Sequence, residues 1–290
     1  MLVVVLATPA GVALAQGAAT AKPPHAALNI AGSKVISSGA FKVTLKTVKT
    51  KDGLKPSAVA TINGVKAVEI DGEAAGDLVS THARILRLDD TPLPQVLFSW
   101  FTGGAHCCAA TRIATQIDGV WKIVETGDRD GDEAFTPIKD GARYALAAID
   151  NSFLYAFDSY AASFAPDQLY ELRGDKLVDV TRESRFAPVL RSTLKKQESA
   201  ANKDKSIWRT NGFLAGWVAQ KALLGEQADA WKRMLVLFDR TNPAGISQCD
   251  ADKPPKECAD KAFIAKEFPR ALRAFLVKNG YLDKNDPSAN

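Results

Sequence analysis

The chain has few of the residues that carry familiar chemistry. It contains only three histidines and four cysteines among 290 residues. The sequence has no G-x-S-x-G, H-E-x-x-H, P-loop or G-x-G-x-x-G motif, and no run of the roughly 20 apolar residues that a membrane-spanning helix needs. Basic and acidic side chains alternate, and the net charge is only +4, which argues against nucleic-acid binding. These absences exclude a multispanning membrane protein and leave the chain without a recognised catalytic signature.

The N-terminal residues indicate export. Residues 1–15 form a short apolar run that ends in the small-x-small pattern Ala13-Leu14-Ala15, which is typical of a secretory signal peptide. No lysine or arginine precedes Lys22, although a signal peptide normally begins with positive charge, and a short membrane anchor is the alternative. We expect a flexible lead at 16–33, a mature chain without a membrane span, and a periplasmic or secreted location.

Residues 34–190 show the pattern of a β-rich domain. Short β-branched or aromatic segments, including FLYAF at 153–157, are bounded by glycine, asparagine, aspartate or proline, as strands are. Three strand–turn–strand patterns, centred on Gly64, Gly119 and Gly174, predict tight hairpins at equal intervals. The even spacing predicts a repeated β unit.

The repeat has a recognisable order of parts. Asp90 and Asp140 each precede a hydrophobic strand, which a glycine-centred hairpin follows. Over about residues 88–182 this arrangement resembles the FG-GAP or VCBS repeats of β-propeller blades. The resemblance implies blade-like antiparallel sheets and a calcium loop of the DxDxDG kind. At most three units are visible, so a few blade-like sheets are expected and not a closed propeller.

The acidic stretch GDRDGDEAF is the first candidate site. Asp128, Asp130 and Asp132 alternate around Gly131, and alternating carboxylates on a bent loop can direct several oxygens at one calcium ion. The resemblance to FG-GAP repeats also implies Asp128, Asp130 and Asp132 as the residues of the calcium loop. The stretch is not an EF-hand, because Glu133 stands at the sixth position and Lys139 at the twelfth. A solvated acidic turn is the alternative.

The segment FTGGAHCCAAT is the second candidate. Imidazole and thiolate bind zinc or copper, and a neighbouring histidine can activate a thiol. His106, Cys107 and Cys108 are therefore candidate metal ligands or reactive groups, although neighbouring residues of a strand point to opposite faces. A purely structural role is the alternative. His25 is assigned to the flexible lead, and His82 to the polar edge of a strand.

An even number of cysteines in an exported chain favours disulfides. Cys249 and Cys258 enclose a short polar loop, so a bridge between them closes at low entropic cost. Cys107 and Cys108 can form a vicinal bridge, remain reduced, or pair with the other two. The sequence leaves these alternatives open.

After residue 190 the spacing of apolar residues becomes helical. The polar span 183–206 is expected to form a helix or a linker, with the linker placed at 191–206. A helical domain is expected at 207–290, with Pro269 bending or dividing its last helix. The fold class is therefore α+β, with blade-like antiparallel repeats followed by a small helical part.

The sequence favours an exported, non-enzymatic binding or structural protein. Calcium is its candidate ion, and its expected partner is an envelope or extracellular protein or a glycan. The alternative is a metal-handling or thiol-dependent enzyme centred on the His-Cys-Cys segment. Inhibition of an envelope enzyme is a third hypothesis.

Overall fold

In the computed structural model, the chain is described at residues 22–76, 80–104, 107–242 and 267–287. Antiparallel strands occupy the N-terminal region and helices the C-terminal part. This arrangement confirms the predicted α+β class.

The strands form three antiparallel sheets. The short strand β1 (His25–Leu28) belongs to the second sheet. The first sheet contains, in spatial order, β2 (Gly32–Ser38), β3 (Phe41–Thr50), β4 (Gly53–Ile62) and β5 (Val65–Asp71). The second adds to β1 the strands β6 (Thr81–Leu86), β7 (Gln95–Phe101), β8 (Cys107–Ile117), β9 (Val120–Glu125) and β10 (Arg129–Asp130). Its order is β1-β6-β7-β8-β10, and β9 also pairs with β8. The third contains, in spatial order, β11 (Thr136–Asp140), β12 (Arg143–Ile149), β13 (Asp167–Arg173) and β14 (Lys176–Asp179).

All three predicted hairpins are present, one in each sheet. They join β4 to β5, β8 to β9, and β13 to β14. In the first two turns Asn63-Gly64 and Asp118-Gly119 all have positive φ, which a two-residue type I′ turn requires. Each hairpin closes a run of four consecutive antiparallel strands. Whether these runs are related to FG-GAP blades stays a prediction.

The sheets and the first helix pack as layers, in the order in which the chain forms them. One core lies between the first and second sheets and includes Phe41, Val43, Leu45, Ile85, Val96 and Phe98. A second core lies between the second and third sheets and includes Leu97, Ile113, Leu146 and Leu172. The segment 186–190 covers the other face of the third sheet, where Ala145, Leu169, Phe186 and Leu190 meet.

The C-terminal part contains four α-helices among the described residues. They are α1 (Ala187–Lys203), α2 (Asn211–Leu223), α3 (Gln227–Leu237) and α4 (Phe268–Lys278). Helix α2 is buried along nearly its whole length, and its glycines allow close packing. A Cβ atom at Gly212 or Gly216 would overlap the carbonyl oxygens of Ala162 or Phe164.

The structure also bears on three expectations for individual segments. His25 lies in a strand paired with β6, so the predicted flexible lead 16–33 contains an ordered strand. Helix α1 covers residues 191–203 of the predicted linker 191–206, in agreement with the helical alternative for this span, because Leu190, Leu194 and Ala201 form a buried stripe on an otherwise polar segment. Pro269 lies in the first turn of α4, where its missing N–H costs no hydrogen bond. The residues of the predicted helix before 267 lie outside the described ranges, so its division at Pro269 stays a prediction.

None of the helices in the described ranges is both long and apolar enough to cross a bilayer.

Candidate metal centre

Two adjacent strands of the second sheet present three polar side chains on one face. The register of β1 and β6 pairs His25 with Arg84 and Ala27 with His82. Ala26 and Ala83, which alternate with these residues, are buried in the core. Because side chains alternate between the faces of a strand, His25, His82 and Arg84 all lie on the opposite face.

Glu133 reaches this face from the connection between β10 and β11. The next two residues, Ala134 and Phe135, are buried between the second and third sheets. The Phe135 ring packs edge-to-face on Tyr170, with 6.1 Å between the centroids. These contacts fix the connection so that the Glu133 carboxylate lies beside the two histidines.

The three side chains bring one ligand atom each to a common point. His25 Nε2 lies 3.2 Å from His82 Nδ1. Glu133 Oε1 lies 3.3 Å from His25 Nε2 and 3.1 Å from His82 Nδ1. Within the described residues, this is the one group of three histidine, cysteine or carboxylate side chains whose ligand atoms converge in this way.

Two neighbouring residues orient the group, which we call the His-His-Glu cluster. Ser80 Oγ lies 2.8 Å from His82 Nε2, so the second ring nitrogen of His82 is already engaged. Arg84 donates to Glu133 through Nε at 3.2 Å and through Nη2 at 2.9 and 2.7 Å. The imidazole rings of His25 and His82 stack with 7° between their planes. Such supporting contacts are typical of metal ligands, whose orientation depends on them.

The electrostatics affect two of the ligand residues, Glu133 and His25. Burial alone would raise the pKa of Glu133, but hydrogen bonds from His82 and Arg84 lower that pKa to about 2. Burial and the nearby positive charge of Arg84 lower the pKa of His25, and Lys34 acts in the same direction. At neutral pH the cluster therefore presents a carboxylate and a neutral His25 imidazole, the forms that bind a metal.

The distances suit a late transition metal. Zinc binds imidazole nitrogen and carboxylate oxygen at ~2.0–2.2 Å. Two ligands at the tetrahedral angle then lie ~3.4 Å apart, and two at a right angle ~3.0 Å apart. The three edges of the cluster, 3.1, 3.2 and 3.3 Å, fall between these values. Two histidines and one carboxylate are also a known ligand set for zinc and for non-haem iron.

The residues of the predicted calcium loop do not meet in this way. Asp130 lies in β10, where its Oδ2 accepts a hydrogen bond from the Tyr160 hydroxyl at 2.8 Å. Asp128 and Asp132 are exposed. Together the three carboxylates do not form a group with oxygens within 4.8 Å of one another. Calcium binding by Asp128, Asp130 and Asp132 stays a prediction.

The predicted cysteine sites lie mostly outside the described part of the chain. His106, Cys249, Cys258 and the side chain of Cys107 fall there. Cys108 is disulfide-bonded, so in this form its sulfur is not available as a thiolate ligand or nucleophile. A role for the His-Cys-Cys segment in metal binding stays a prediction.

Sequence reasoning missed the His-His-Glu cluster. Its members are far apart along the chain, with His25 and His82 separated by 57 residues. The available signals were the scarcity of histidine and the alternation of His82 with Arg84, which places both on one face of a strand. Neither signal identifies Glu133.

The known proteins that resemble this chain have names that state no activity. A family model described as the sll0997 C-terminal domain matches residues 189–280, which include α2, α3, α4 and nearly all of α1. The chain is 34% identical over 253 residues to the uncharacterized protein y4bJ of Sinorhizobium fredii, a match that covers 86% of this chain and 40% of that protein. It is 34% identical over 210 residues to the probable thylakoid lumen protein sll0997 of Synechocystis sp., covering 69% of this chain and 60% of that protein.

This chain therefore spans about half the length of these curated relatives. No solved structure matches it. The His-His-Glu cluster lies outside the stretch that the family model matches.

Proposed function

We propose that this chain is an exported binding protein whose β-rich part holds one divalent late transition metal ion. The observation that carries the proposal is the triangle of His25 Nε2, His82 Nδ1 and Glu133 Oε1, with edges of 3.1 to 3.3 Å. His25 and Glu133 would join β1 and the β10–β11 connection to His82 on β6. Zinc is the ion to test first, because imidazole and carboxylate ligands suit it.

Three features support a location outside the cytoplasm. The N-terminal pattern predicts a signal peptide. The Synechocystis relative is named as a probable thylakoid lumen protein. The disulfide of Cys108 favours an oxidising compartment.

The test is metal titration of tag-free protein that has been stripped with chelator. Calorimetry with Zn²⁺ should give one ion per chain. His25→Ala, His82→Ala and Glu133→Gln should each weaken binding by about 100-fold or more, because each removes or replaces one ligand. His106→Ala is the matched control, since it removes the one histidine outside the cluster. Loss of binding in His106→Ala with retention in His82→Ala would contradict the proposal and favour the His-Cys-Cys segment.

A second candidate function rests on a different use of His82. Ser80 Oγ lies 2.8 Å from His82 Nε2, and His82 Nδ1 lies 3.1 Å from Glu133 Oε1. A serine, a histidine base and a carboxylate in this order form the hydrogen-bonded chain of acyl-transfer enzymes. In such a chain His82 would accept the Ser80 proton at Nε2 while Glu133 held its Nδ1–H.

The two candidates can be separated by labelling Ser80. A fluorophosphonate probe should modify Ser80 in metal-free protein if the serine is activated, and His82→Ala should abolish the labelling. Metal binding without any labelling would leave the metal site as the function of the cluster. Labelling that persists in His82→Ala would remove the acyl-transfer candidate.

A further inference from the structure

A bound divalent ion would give the His-His-Glu cluster a positive charge that its own residues do not balance. The Arg84 guanidinium already pairs with the Glu133 carboxylate through three short contacts. An imidazole binds a metal ion in its neutral form and so contributes no charge. The double positive charge of a bound ion would therefore have no counterpart among the ligands and the residues that orient them.

We infer that the metal-loaded cluster binds a small oxyanion, a carboxylate or a phosphate, as an additional ligand of the ion. This inference rests on the proposed metal site. An oxyanion supplies an oxygen ligand and also balances the charge that Arg84 leaves uncompensated.

The coordination number leaves room for such a ligand. Three protein ligands fill three positions, and zinc sites with three protein ligands keep a fourth position for water or substrate. The side chains of His25 and Glu133 are 32% and 27% exposed, so the cluster is open to solvent on one side. A small anion can therefore reach the ion without unfolding of the sheet.

Arg84 offers a second contact for the same anion. Its bonds to Glu133 use Nε and Nη2. An arginine side chain carries five N–H groups in a planar fork, so Nη1 retains two N–H groups that Glu133 does not use. We expect one oxyanion oxygen to bind the ion while another accepts a hydrogen bond from Arg84 Nη1. Such two-point binding would favour an anion with at least two oxygens over chloride.

The test uses the full-length mature chain loaded with Co²⁺, whose visible spectrum reports changes in coordination. Titration with acetate and with sub-millimolar phosphate should give a saturable spectral change, whereas chloride at the same concentrations should not. Arg84→Gln should weaken anion binding by about tenfold or more, as expected for loss of a charged hydrogen bond. Arg84→Lys, which keeps the charge, should retain part of the effect.

Arg112→Gln is the matched control. Arg112 lies in the same sheet and pairs with Glu73 and Glu125, and its removal should leave anion binding unchanged. Cobalt content is measured in every sample, so a variant that loses the metal is recognised as such.

The outcomes separate the proposed metal site from the inferred oxyanion ligand. Failure of cobalt to bind would overturn the proposed function itself. Cobalt binding without a response to acetate or phosphate would overturn only the oxyanion ligand. An equal response in Arg84→Gln and wild type would show that Arg84 does not assist the anion.

Discussion

At the residue scale, two carboxylates that are buried or partly buried each accept a hydrogen bond from a side chain distant in the sequence. The Tyr281 hydroxyl donates to Asp150 Oδ2 at 2.8 Å, and burial together with Asp150 raises the pKa of Tyr281. Asp167 is half-buried and accepts a hydrogen bond from Gln220 Nε2 at 2.9 Å. Burial raises the pKa of Asp167, so the folded state favours its neutral form.

Replacement of Tyr281 tests the first of these contacts. Tyr281→Phe removes the donor and leaves a buried carboxylate oxygen without it, so the free energy of unfolding should fall by about 1–3 kcal/mol. Urea denaturation measures the change. Tyr155→Phe is the control, because the Tyr155 ring is exposed and its replacement should change stability little. Equal stability of Tyr281→Phe and wild type would show that water replaces the hydroxyl.

Replacement of Asp167 tests the raised pKa of this carboxylate. The expected effect on stability depends on pH. Because the pKa of Asp167 is higher in the folded state, the folded protein binds this proton more tightly. The ionised side chain therefore costs stability at neutral pH, and that cost disappears as the pH falls through the raised pKa. Asp167→Asn should melt at a higher temperature than wild type at pH 7. The difference should narrow in acid, and a difference independent of pH would contradict this account.

At the element scale, the packing of α2 depends on two glycines that sequence reasoning did not single out. The apolar spacing after residue 206 predicts helices, and α2 is one of them. Spacing does not show that the backbone of residues 162–164 lies against the helix where Gly212 and Gly216 provide room. Similarly, β propensity predicts a strand for the aromatic segment 153–157. It forms a 3-10 turn and loop instead, with Phe153 and Phe157 buried in the helical core. The need to fill that core outweighs β propensity there.

Substitution of Gly216 measures how much the close contact between α2 and the backbone of residues 162–164 stabilises the protein. Gly216→Ala should destabilise the protein by about 3 kcal/mol or more, because the added Cβ would overlap the Phe164 carbonyl oxygen and force the helix away. Thermal or urea unfolding gives the value. Gly32→Ala is the matched control, since its Cβ would lie 3.7 Å from the Leu28 side chain, an ordinary contact. A tolerated alanine at 216 would require α2 to pack differently from the structure.

Metal binding should also be visible at this scale, as a change in strand β1. The strand pairs with β6 through only four residues, and an ion bound to His25 and His82 would link both strands directly. Zinc at 100 times its dissociation constant should stabilise the folded chain by about 2.7 kcal/mol, with slower amide exchange at Ala27 and Leu28. His25→Ala should lose both effects. Zinc that raises the melting temperature of His25→Ala equally would place the ion elsewhere.

At the scale of the whole molecule, features set by neighbouring residues could be predicted from the sequence, whereas contacts between distant segments could not. Turn residues such as Asn63-Gly64 act locally, so the three hairpins were predictable from their sequence alone. The pairing of β1 with β6 joins residues far apart in the chain, and no local signal encodes that choice. The candidate metal site depends on this pairing and on the position of Glu133, which is why the sequence did not reveal it.

The boundary of the helical part leads to a prediction for fragments. The matched family segment begins at residue 189, yet the helical core also contains Phe153 and Phe157. Both rings pack edge-to-face on Phe275, with centroids 4.9 and 5.1 Å away. A fragment of residues 189–290 should therefore lack a cooperative thermal transition, whereas a fragment of residues 150–290 should show one by circular dichroism. A cooperative transition in the shorter fragment would show that the two phenylalanines are dispensable.

The distance between His25 and His82 along the chain also bears on how the protein would obtain its ion. A chain exported unfolded would cross the membrane before β1 and β6 pair, so the His-His-Glu cluster would first exist at the destination. Affinity for divalent ions follows a fixed chemical series in which copper ranks above zinc. The metal taken up would then be set by the supply in the compartment where folding ends. The same chain, folded in two compartments of different metal content, should carry two different ions.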